Sequence, residues 1–452
     1  MLQWVHPWRE TALGTFLDKP RILCSDSSSL KRSSNMTAFR FCLTASVILL
    51  IECCSPAFAE TVYNVRDHGA EGDGVTLDTD AVQEAFDECD KAGGGTVLLP
   101  AGTYLCKPLT IGTETTLRLE KGATLKATDD PADYARTDKP GQFNHFFTGK
   151  DLEHVTIEGE GTIDGSGQKW WVDAEEARQK KSGYTLPRPN LIVLTRVKDL
   201  TVRGVTIQNA PKFHFVPTDC ENVVVEDAKF FAPERAPNTD AIDPSMCRNV
   251  IIRRCLIDVG DDNVAVKSGD AHPDREFAAE TLLVEDCTIK HGHGISIGSE
   301  VVGGVKDLVV RNCTFEGTDN GIRIKTDRKK GGPVTNMLYE NITMKDVAGA
   351  IRITCYYPKI PPIEEPKPLT ETTPAYSNIT IRNLTATSTK DAGFIVGLPE
   401  SPIKNVLLEN VKITSDRAGL EIRHVEGIKL ENVEIIPAKG EPLIVNDAEI
   451  DE

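Results

Sequence analysis

The sequence has few aromatic residues, a shortage of positive charge and no long apolar run beyond its first sixty residues. Only 6% of the 452 residues are aromatic, and 51 Lys and Arg face 68 Asp and Glu, which gives a net charge of −17. Such a surface repels nucleic acid and anionic membranes, so neither is expected as a partner. No later apolar stretch comes near the length of a transmembrane helix. We therefore expect no stable membrane insertion, and we expect a monomer.

The cysteines and histidines are not spaced as zinc ligands. Eight of the 12 cysteines follow residue 60. Cys255, Cys287 and Cys313 occupy one position in a repeated segment, and we interpret them as small buried apolar side chains. A disulfide among the other five remains open, because exported proteins can form one. The sequence predicts no metal and no cofactor.

Residues 36–59, MTAFRFCLTASVILLIECCSPAFA, have the composition of an export signal. Arg40 supplies the positive charge, an apolar segment follows, and residues 57–59 give a small-x-small cleavage site. Residues 1–35 show no periodic pattern, and we interpret them as an unused upstream start or a disordered leader. We expect the mature chain to begin at Glu60 and to be secreted or periplasmic.

Segments of one shape recur along the chain, and each alternates apolar and polar residues before a turn. LTVRGVTI at 200–207 and LLVEDCTI at 282–289 are two examples. No such unit could bury its apolar face alone, and stacking the units solves that problem. The sequence therefore predicts that residues 60–452 form one right-handed parallel β-helix, an all-β solenoid. The repeats end at Ile207, Phe230, Ile257, Ile289, Phe315, Met344, Ala386, Ile413 and Ile435.

Two other segments fit the end and the side of this solenoid. DTDAVQEAFDECDKAGGG predicts a short helix that caps the N-terminal end, with an Asp80-x-x-Gln83 capping pattern and a glycine stop from Gly93. The proline-rich segment 356–376 predicts a long loop beside the second strand of each coil.

That second strand recurs as NVAVKS, GISIGS and GIRIKT, with AIDP as a shorter member. Two residues before the first apolar residue of each strand stand Asp240, Asp262 and His293, on three successive coils. Coils stack about 4.8 Å apart, so these side chains should be neighbours. Asp261 belongs to the preceding turn and can lean into the same groove.

Basic residues extend this group. Arg323 and Lys325 alternate with buried isoleucines and should face outward, and Lys267 takes the position of Lys325 on an earlier strand. Carboxylates beside a cationic strip suit hydrolysis of an acidic sugar chain, in which one carboxylic acid protonates the leaving oxygen and another carboxylate activates water. Any single aspartate in a turn is ordinarily a backbone cap. Because these aspartates, the histidine and the basic residues fall in one register, the sequence favours a catalytic site.

The chain resembles the polygalacturonases and their relatives among pectin-degrading glycoside hydrolases. That family carries four motifs in order, and all four stand here: NTD at 238–240, GDD at 260–262, GHG at 292–294 and RIK at 323–325. Further similarity, including YNVRDHGAEGDG and IDGSGQKWW, covers nearly all of the chain after residue 60. The resemblance implies a catalytic β-helix that hydrolyses α-1,4-linked galacturonosyl bonds in pectin.

The resemblance also implies catalytic roles. Asp261 would be the general acid, and His293 would tune it. Asp240 and Asp262 would hold and deprotonate the attacking water. Close carboxylates are typical of retaining enzymes, whereas the resemblance implies inversion; we expect inversion, because no aspartate is separately placed as a nucleophile. Asn263 stands where the family often has cysteine, and it should affect packing more than chemistry.

For substrate binding, the resemblance implies that Arg323 and Lys325 grip a galacturonate carboxylate next to the cleavage point. We add Lys267 to this binding group. A tyrosine one coil further on should contact the substrate, and Tyr357 fits this place better than Tyr356.

Other functions stay open. A calcium-dependent pectic lyase could share the fold, but it would need a carboxylate calcium site and a cationic base. A β-helix that only binds glycans would be expected to have NTD or GDD disrupted, and neither is. The substrate could also be rhamnogalacturonan or xylogalacturonan. The loop at 356–376 could close one end of the cleft and favour exo-action.

Overall fold

The computed structural model describes residues 61–180 and 186–451. Within them the chain winds into a right-handed parallel β-helix whose 28 strands belong to one sheet. The predicted fold class is therefore confirmed. The predicted leader at 1–35 and the predicted signal peptide at 36–59 lie outside the described residues. No helix in the described ranges is long and apolar enough to cross a membrane.

The regular elements are numbered in chain order. Helix α1 is Thr79–Lys91 and helix α2 is Gln168–Lys180, with 3₁₀ turns at Val65–His68 and Pro131–Tyr134. Strands β1 to β14 are Val62–Asn64, Asp73–Leu77, Gly95–Leu99, Gly102–Cys106, Leu109–Thr110, Thr115–Leu119, Ala123–Ala127, Phe147–Gly159, Thr162–Asp164, Ile192–Arg203, Thr206–Gln208, Phe215–Thr218, Glu221–Glu226 and Lys229–Phe231. Strands β15 to β28 are Arg248–Arg253, Leu256–Asp258, Val264–Val266, Ala279–Glu285, Thr288–Lys290, Ile295–Ile297, Val305–Arg311, Thr314–Glu316, Ile322–Lys325, Pro333–Thr354, Ala375–Val396, Ile403–Ser415, Leu420–Pro437 and Leu443–Asp451.

The cysteines of the repeated segment stack inside the solenoid. Strand β16 pairs with β19, and β19 with β22, so Cys255, Cys287 and Cys313, which precede these strands, lie above one another. Each is at most 2% exposed, which confirms their interpretation as small core side chains. All cysteines in the described part of the chain are buried free thiols. The disulfide that the sequence left open is therefore not present among them.

A ladder of asparagines fixes one turn of the later coils. Asn312, Asn341, Asn383, Asn410 and Asn432 all adopt the left-handed conformation, with φ between 53° and 56°. Asparagine tolerates this conformation better than most residues. The side-chain amides of the last four donate to the asparagine one coil before, at 2.8 to 3.1 Å, and that of Asn312 donates to Asp286 at 3.2 Å. The turns thus share one geometry, which keeps successive strands in register.

Helix α1 covers the N-terminal end as predicted, but its capping differs. The N-cap residue is Asp78, and Asp80 lies within the first turn, so the predicted Asp80–Gln83 capping pattern is wrong. Gln83 instead accepts a hydrogen bond from the amide of Thr110 at 2.9 Å, because the sheet edge offers a closer partner. The apolar face is buried as predicted and consists of Val82, Ala85, Phe86 and Cys89.

Two segments flank the second strands of the coils. Helix α2, which the sequence did not predict, lies against the turn after β11, where the indole of Trp171 donates to the carbonyl of Ala210 at 2.9 Å. The loop predicted at 356–376 is confirmed up to residue 374: residues 355–374 contain no strand, and β25 begins at Ala375, so residues 375 and 376 belong to that strand.

Candidate active site

The predicted site residues converge on successive coils. Ile242 bridges to Val264 in β17, β17 pairs with β20, and β20 pairs with β23. Asp240, Asp262 and His293 each stand two positions before one of the paired residues Ile242, Val264 and Ile295. The register read from the sequence is therefore the register of the structure.

Side-chain hydrogen bonds connect the turns that carry these residues. The hydroxyl of Thr239 donates to the carbonyl of Ala236 at 2.9 Å and accepts from the amide of Gly260 at 3.0 Å. The amide oxygen of Asn263, which is fully buried, accepts from the amide of Gly294 at 2.8 Å. Each turn of the site is thus fastened to the next one.

Glycines on both sides of His293 allow the coils to approach closely. Gly292 and Gly294 have φ values of 74° and 77°, which favour glycine. A Cβ at Gly292 would lie 2.4 Å from the carbonyl oxygen of Asp261, and a Cβ at Gly294 would lie 2.1 Å from that of Asn320. The GHG motif therefore brings the histidine against the preceding coil.

Asp262 is a buried carboxylate held by two cations. Arg323 donates to it at 2.9 Å, Lys325 at 2.6 Å, and the hydroxyl of Ser296 at 2.8 Å. Burial raises the pKa of Asp262, but the charges of Lys325, Arg323 and His293 outweigh it and hold that pKa at about 2. Asp262 is thus ionised at neutral pH.

These contacts bring the predicted cationic strip closer to the carboxylates than the sequence indicated. Arg323 and Lys325 do alternate with buried isoleucines. Their side chains are nevertheless only 16% and 8% exposed, since both reach across two coils to Asp262. The cations and the carboxylates therefore form one cluster.

Asp261 points from its turn toward His293. Its Oδ1 lies 2.9 Å from His293 Nδ1, and its Oδ2 accepts from the amide of Asn238 at 3.4 Å. The other ring nitrogen of His293 lies 3.3 Å from Asp319. At 19% exposure, the side chain of Asp261 is more accessible than those of Asp240 and Asp262, at 6% and 3%. Asp261 is the aspartate of the three that a ligand reaches most readily.

The protonation of His293 should make stability depend on pH. Burial lowers the pKa of His293, but its hydrogen bonds to Asp261 and Asp319 and the charge of Asp262 outweigh it and raise that pKa from 6.5 to about 10. A group whose pKa is raised on folding stabilises the fold below its unfolded pKa and loses that effect as pH rises through its folded pKa. We expect the urea midpoint to fall between pH 6.5 and 10, and to fall less in His293→Gln. Identical pH profiles for the two proteins would contradict this.

Asp240 shares its surroundings with Asp243, which the sequence reasoning missed. Lys267 lies 2.5 Å from Asp243 and 3.6 Å from Asp240. Burial, followed by the charges of Asp243 and Asp261, raises the pKa of Asp240 well above its usual range. Burial likewise raises the pKa of Asp243 to about 6, against the charge of Lys267. Lys267 therefore joins the carboxylate cluster and is only 18% exposed.

The strand register could have identified Asp243 as a residue of the site. Because Ile242 pairs with Val264, Asp243 stands in the same column as Ser296 and Arg323. The alternation that assigns Arg323 to the outer face assigns Asp243 there as well.

The two tyrosines of the long loop separate in space. The ring of Tyr357 lies 5.3 Å from Lys325 Nζ and 5.7 Å from the guanidinium carbon of Arg323. Tyr356 is 7% exposed and lies against Arg328. The structure therefore places Tyr357 beside the cluster.

The sequence pattern of Glycosyl hydrolases family 28 matches residues 89–434. The chain belongs to that family. An endo-polygalacturonase from Pectobacterium parmentieri is 34% identical over 357 residues, which cover 75% of this chain and 84% of that protein.

Solved structures of polygalacturonases share the fold. A polygalacturonase from Erwinia carotovora ssp. carotovora has a TM-score of 0.68 and 31% identity, covering 82% of this chain and 97% of that one. A hyperthermoactive exopolygalacturonase from Thermotoga maritima has a TM-score of 0.66 and 26% identity, covering 86% and 92%. This family 28 member is thus a glycoside hydrolase.

Among the described residues of this glycoside hydrolase, two groups have ligand atoms close enough to hold a metal ion. Asp261, Asp262 and His293 form one group, within 4.8 Å of one another. Both oxygens of Asp262 already accept hydrogen bonds from cations, so a metal ion there would meet positive charge. The second group is His68, Glu84 and Glu88, away from the four motifs.

Proposed function

We propose that this chain hydrolyses α-1,4-linked galacturonosyl bonds in polygalacturonate or its oligomers. The observation that carries the proposal is the joint cluster of an accessible carboxyl, Asp261, with an ionised buried carboxylate, Asp262, and the cations Arg323 and Lys325. An acidic polymer needs local positive charge to approach carboxylates, since repulsion is screened only beyond about 8 Å at physiological salt. Family membership supports the same substrate class.

In this proposal Asp261 protonates the leaving oxygen. Asp240 is also a carboxyl with a raised pKa, which would suit an acid. Its side chain, however, is only 6% exposed, whereas that of Asp261 is 19% exposed. Accessibility therefore favours Asp261 as the general acid, with His293 as the group that tunes it.

Asp240 and Asp262 would hold the attacking water, with Asp262 as the ionised partner. Asp261 and Asp262 offer oxygens within 4.8 Å, near the spacing of about 5 to 5.5 Å found in retaining enzymes. Asp262 makes a poor nucleophile, however, because Arg323, Lys325 and Ser296 occupy its oxygens. We therefore propose inversion.

Product analysis tests this function. The purified protein should release galacturonate oligomers or monomer from polygalacturonate faster than it releases products from rhamnogalacturonan or xylogalacturonan. NMR of the first product should show the inverted anomer, and unsaturated products would show a lyase instead.

We also propose exo-action, with the loop at 355–374 closing one end of the cleft. An early spread of oligomer sizes would refute it.

We propose that the protein is secreted or periplasmic after removal of residues 36–59. The apolar segment and the small-x-small site support this proposal. N-terminal sequencing of the protein recovered outside the cytoplasm should begin at Glu60, and recovery of unprocessed chain in the cytoplasm alone would contradict it.

Arg323→Lys should weaken catalysis even though the charge is kept. The guanidinium can hold Asp262 and still offer further donors to a uronate carboxylate, which a single ammonium cannot match. We expect kcat/KM on polygalacturonate to fall. The corresponding loss of transition-state stabilisation should be about 1.5 to 3 kcal/mol, the range for charged hydrogen bonds. Methyl-esterified pectin should show a smaller loss. Equal losses on both substrates would mean that Arg323 only supports Asp262.

A further inference from the structure

A second group of cations lies on the other side of the catalytic aspartates. The ammonium groups of Lys212 and Lys267 lie 4.3 and 4.4 Å from the centroid of the Phe213 ring, within the range of a cation–π contact. Arg188 donates to the carbonyl of Pro211, next to Lys212, and to that of Pro237 in the turn before Asp240. Two cations thus flank one aromatic residue at the edge of the site, and Arg188 lies close enough to Lys212 to affect its pKa.

Two of these three cations have no ion-pair partner, although the charge of Asp240 acts on both of them. Lys267 is paired with Asp243, but neither Lys212 nor Arg188 forms an ion pair within the described part of the chain. Arg188 is 6% exposed and donates to neutral oxygens, including that of Asn238, while its Nε is buried without a partner. Unpaired buried charge is costly. An anionic ligand would compensate for this positive charge.

Lys212 is the member of the group that a ligand can reach. Its side chain is half-buried, whereas Arg188 is buried. Burial and then the charge of Arg188 lower the pKa of Lys212, while Asp240 raises it. A uronate carboxylate next to Lys212 would stabilise the charged ammonium.

The position of Lys212 complements that of Arg323 and Lys325. Lys212 precedes strand β12, one coil before Ile242, whereas Arg323 lies in β23, three coils after it. The strands next to Lys212 and Arg323 are therefore four steps of about 4.8 Å, or about 19 Å, apart along the axis, with Asp240 and Asp262 between them. The guanidinium of Arg323 reaches back from its strand to Asp262. A polymer that runs along the axis would meet both.

We propose that Lys212 is a specificity-determining residue that binds the carboxylate of a second uronate, on the N-terminal side of the cleavage point. This inference rests on the proposed function. It implies that the enzyme recognises its polymer by acid groups on both sides of the bond that it cleaves. Short oligomers that reach only one cationic group should gain nothing from Lys212.

The test compares oligogalacturonides of increasing length. Lys212→Met removes the charge but keeps a stem that can cover Phe213. We expect its kcat/KM to fall on the order of 10-fold on long oligomers, as for a charged hydrogen bond, and to change little on the dimer. Lys212→Arg should restore the length dependence. Lys229→Met, at an exposed lysine on β14, should match wild type at every length.

Calorimetry in the Asp261→Asn background separates the possible failures. Hexagalacturonate should bind this variant, and adding Lys212→Met should weaken the binding on the order of 10-fold. Equal binding with and without Lys212 would overturn the inference and leave the proposed function standing. Absence of hexagalacturonate binding, together with no cleavage by wild type, would overturn the proposed function itself. A loss of the same size on the dimer and on long oligomers would show that Lys212 only supports the fold around Phe213.

Discussion

Asp261→Asn is expected to lower kcat on polygalacturonate by about 10²- to 10⁴-fold, the usual contribution of a general acid. Asparagine can still accept the hydrogen bond from His293, so the fold and the binding of substrate should be retained. It has no carboxyl proton to give to the leaving oxygen. Initial rates and the urea midpoint of the variant measure both expectations.

The leaving group provides the control. An oligogalacturonide with a nitrophenyl leaving group needs little protonation, so Asp261→Asn should lose much less activity on it than on polygalacturonate. Asp262→Asn should lose a similar factor on both substrates, because its proposed role is on the water. If Asp240→Asn is the variant that the nitrophenyl substrate rescues, the acid is Asp240 and the assignment of Asp261 is wrong.

Asp262→Asn should reduce both activity and stability. It removes the ionised carboxylate that is proposed to activate water, so kcat should fall by about 10²- to 10⁴-fold. It also leaves Arg323 and Lys325 without their anion in a buried site. Removal of one partner of a buried ion pair costs about 3 to 5 kcal/mol. Urea unfolding and initial rates report the two effects separately.

A second variant distinguishes a charge effect from a packing defect. Asp262→Asn combined with Lys325→Met reduces the uncompensated charge, and we expect it to regain part of the lost stability but none of the activity. An unchanged midpoint in the single variant would show that the ion pairs of Asp262 do not stabilise the fold.

The acid limb of the stability curve provides an independent check on Asp262. Its pKa falls from 3.8 to about 2 on folding. Its contribution to stability is therefore present above pH 3.8 and is lost as pH falls through 2. Wild type should lose more stability than Asp262→Asn over this window.

The sequence alone was sufficient for the solenoid and for the column that carries the site. Repeated segments with an apolar residue at every second position can bury that face only by stacking in register. A one-residue shift would turn Val264 and Ile295 outward. Asp240, Asp262 and His293 could therefore be aligned by counting back from the strands, and the structure keeps that alignment.

Counting residues could not decide which side chains touch. Strand alternation fixes the direction of Cβ, but the long side chains of Arg323 and Lys325 reach two coils away to Asp262, where a buried carboxylate requires cations. Asp319 meets His293 from a turn, where no alternation applies. Most members of the cluster could therefore be predicted from the sequence, but the contacts between them could not.

The same limit explains the ends and the flanks of the fold. The spacing of apolar residues in α1 predicted a helix, yet the partner of Gln83 depended on the strands beneath it, and the helix begins earlier than its predicted capping pattern. Lys212 and Arg188 stand outside the four motifs, and they come close to one another only when successive coils stack. Local pattern thus determined the repeat and its register, because burial of apolar side chains imposes a fixed period. Tertiary structure decided the partners of the charged groups, because their long side chains leave the strands and pair wherever burial makes an unpaired charge costly.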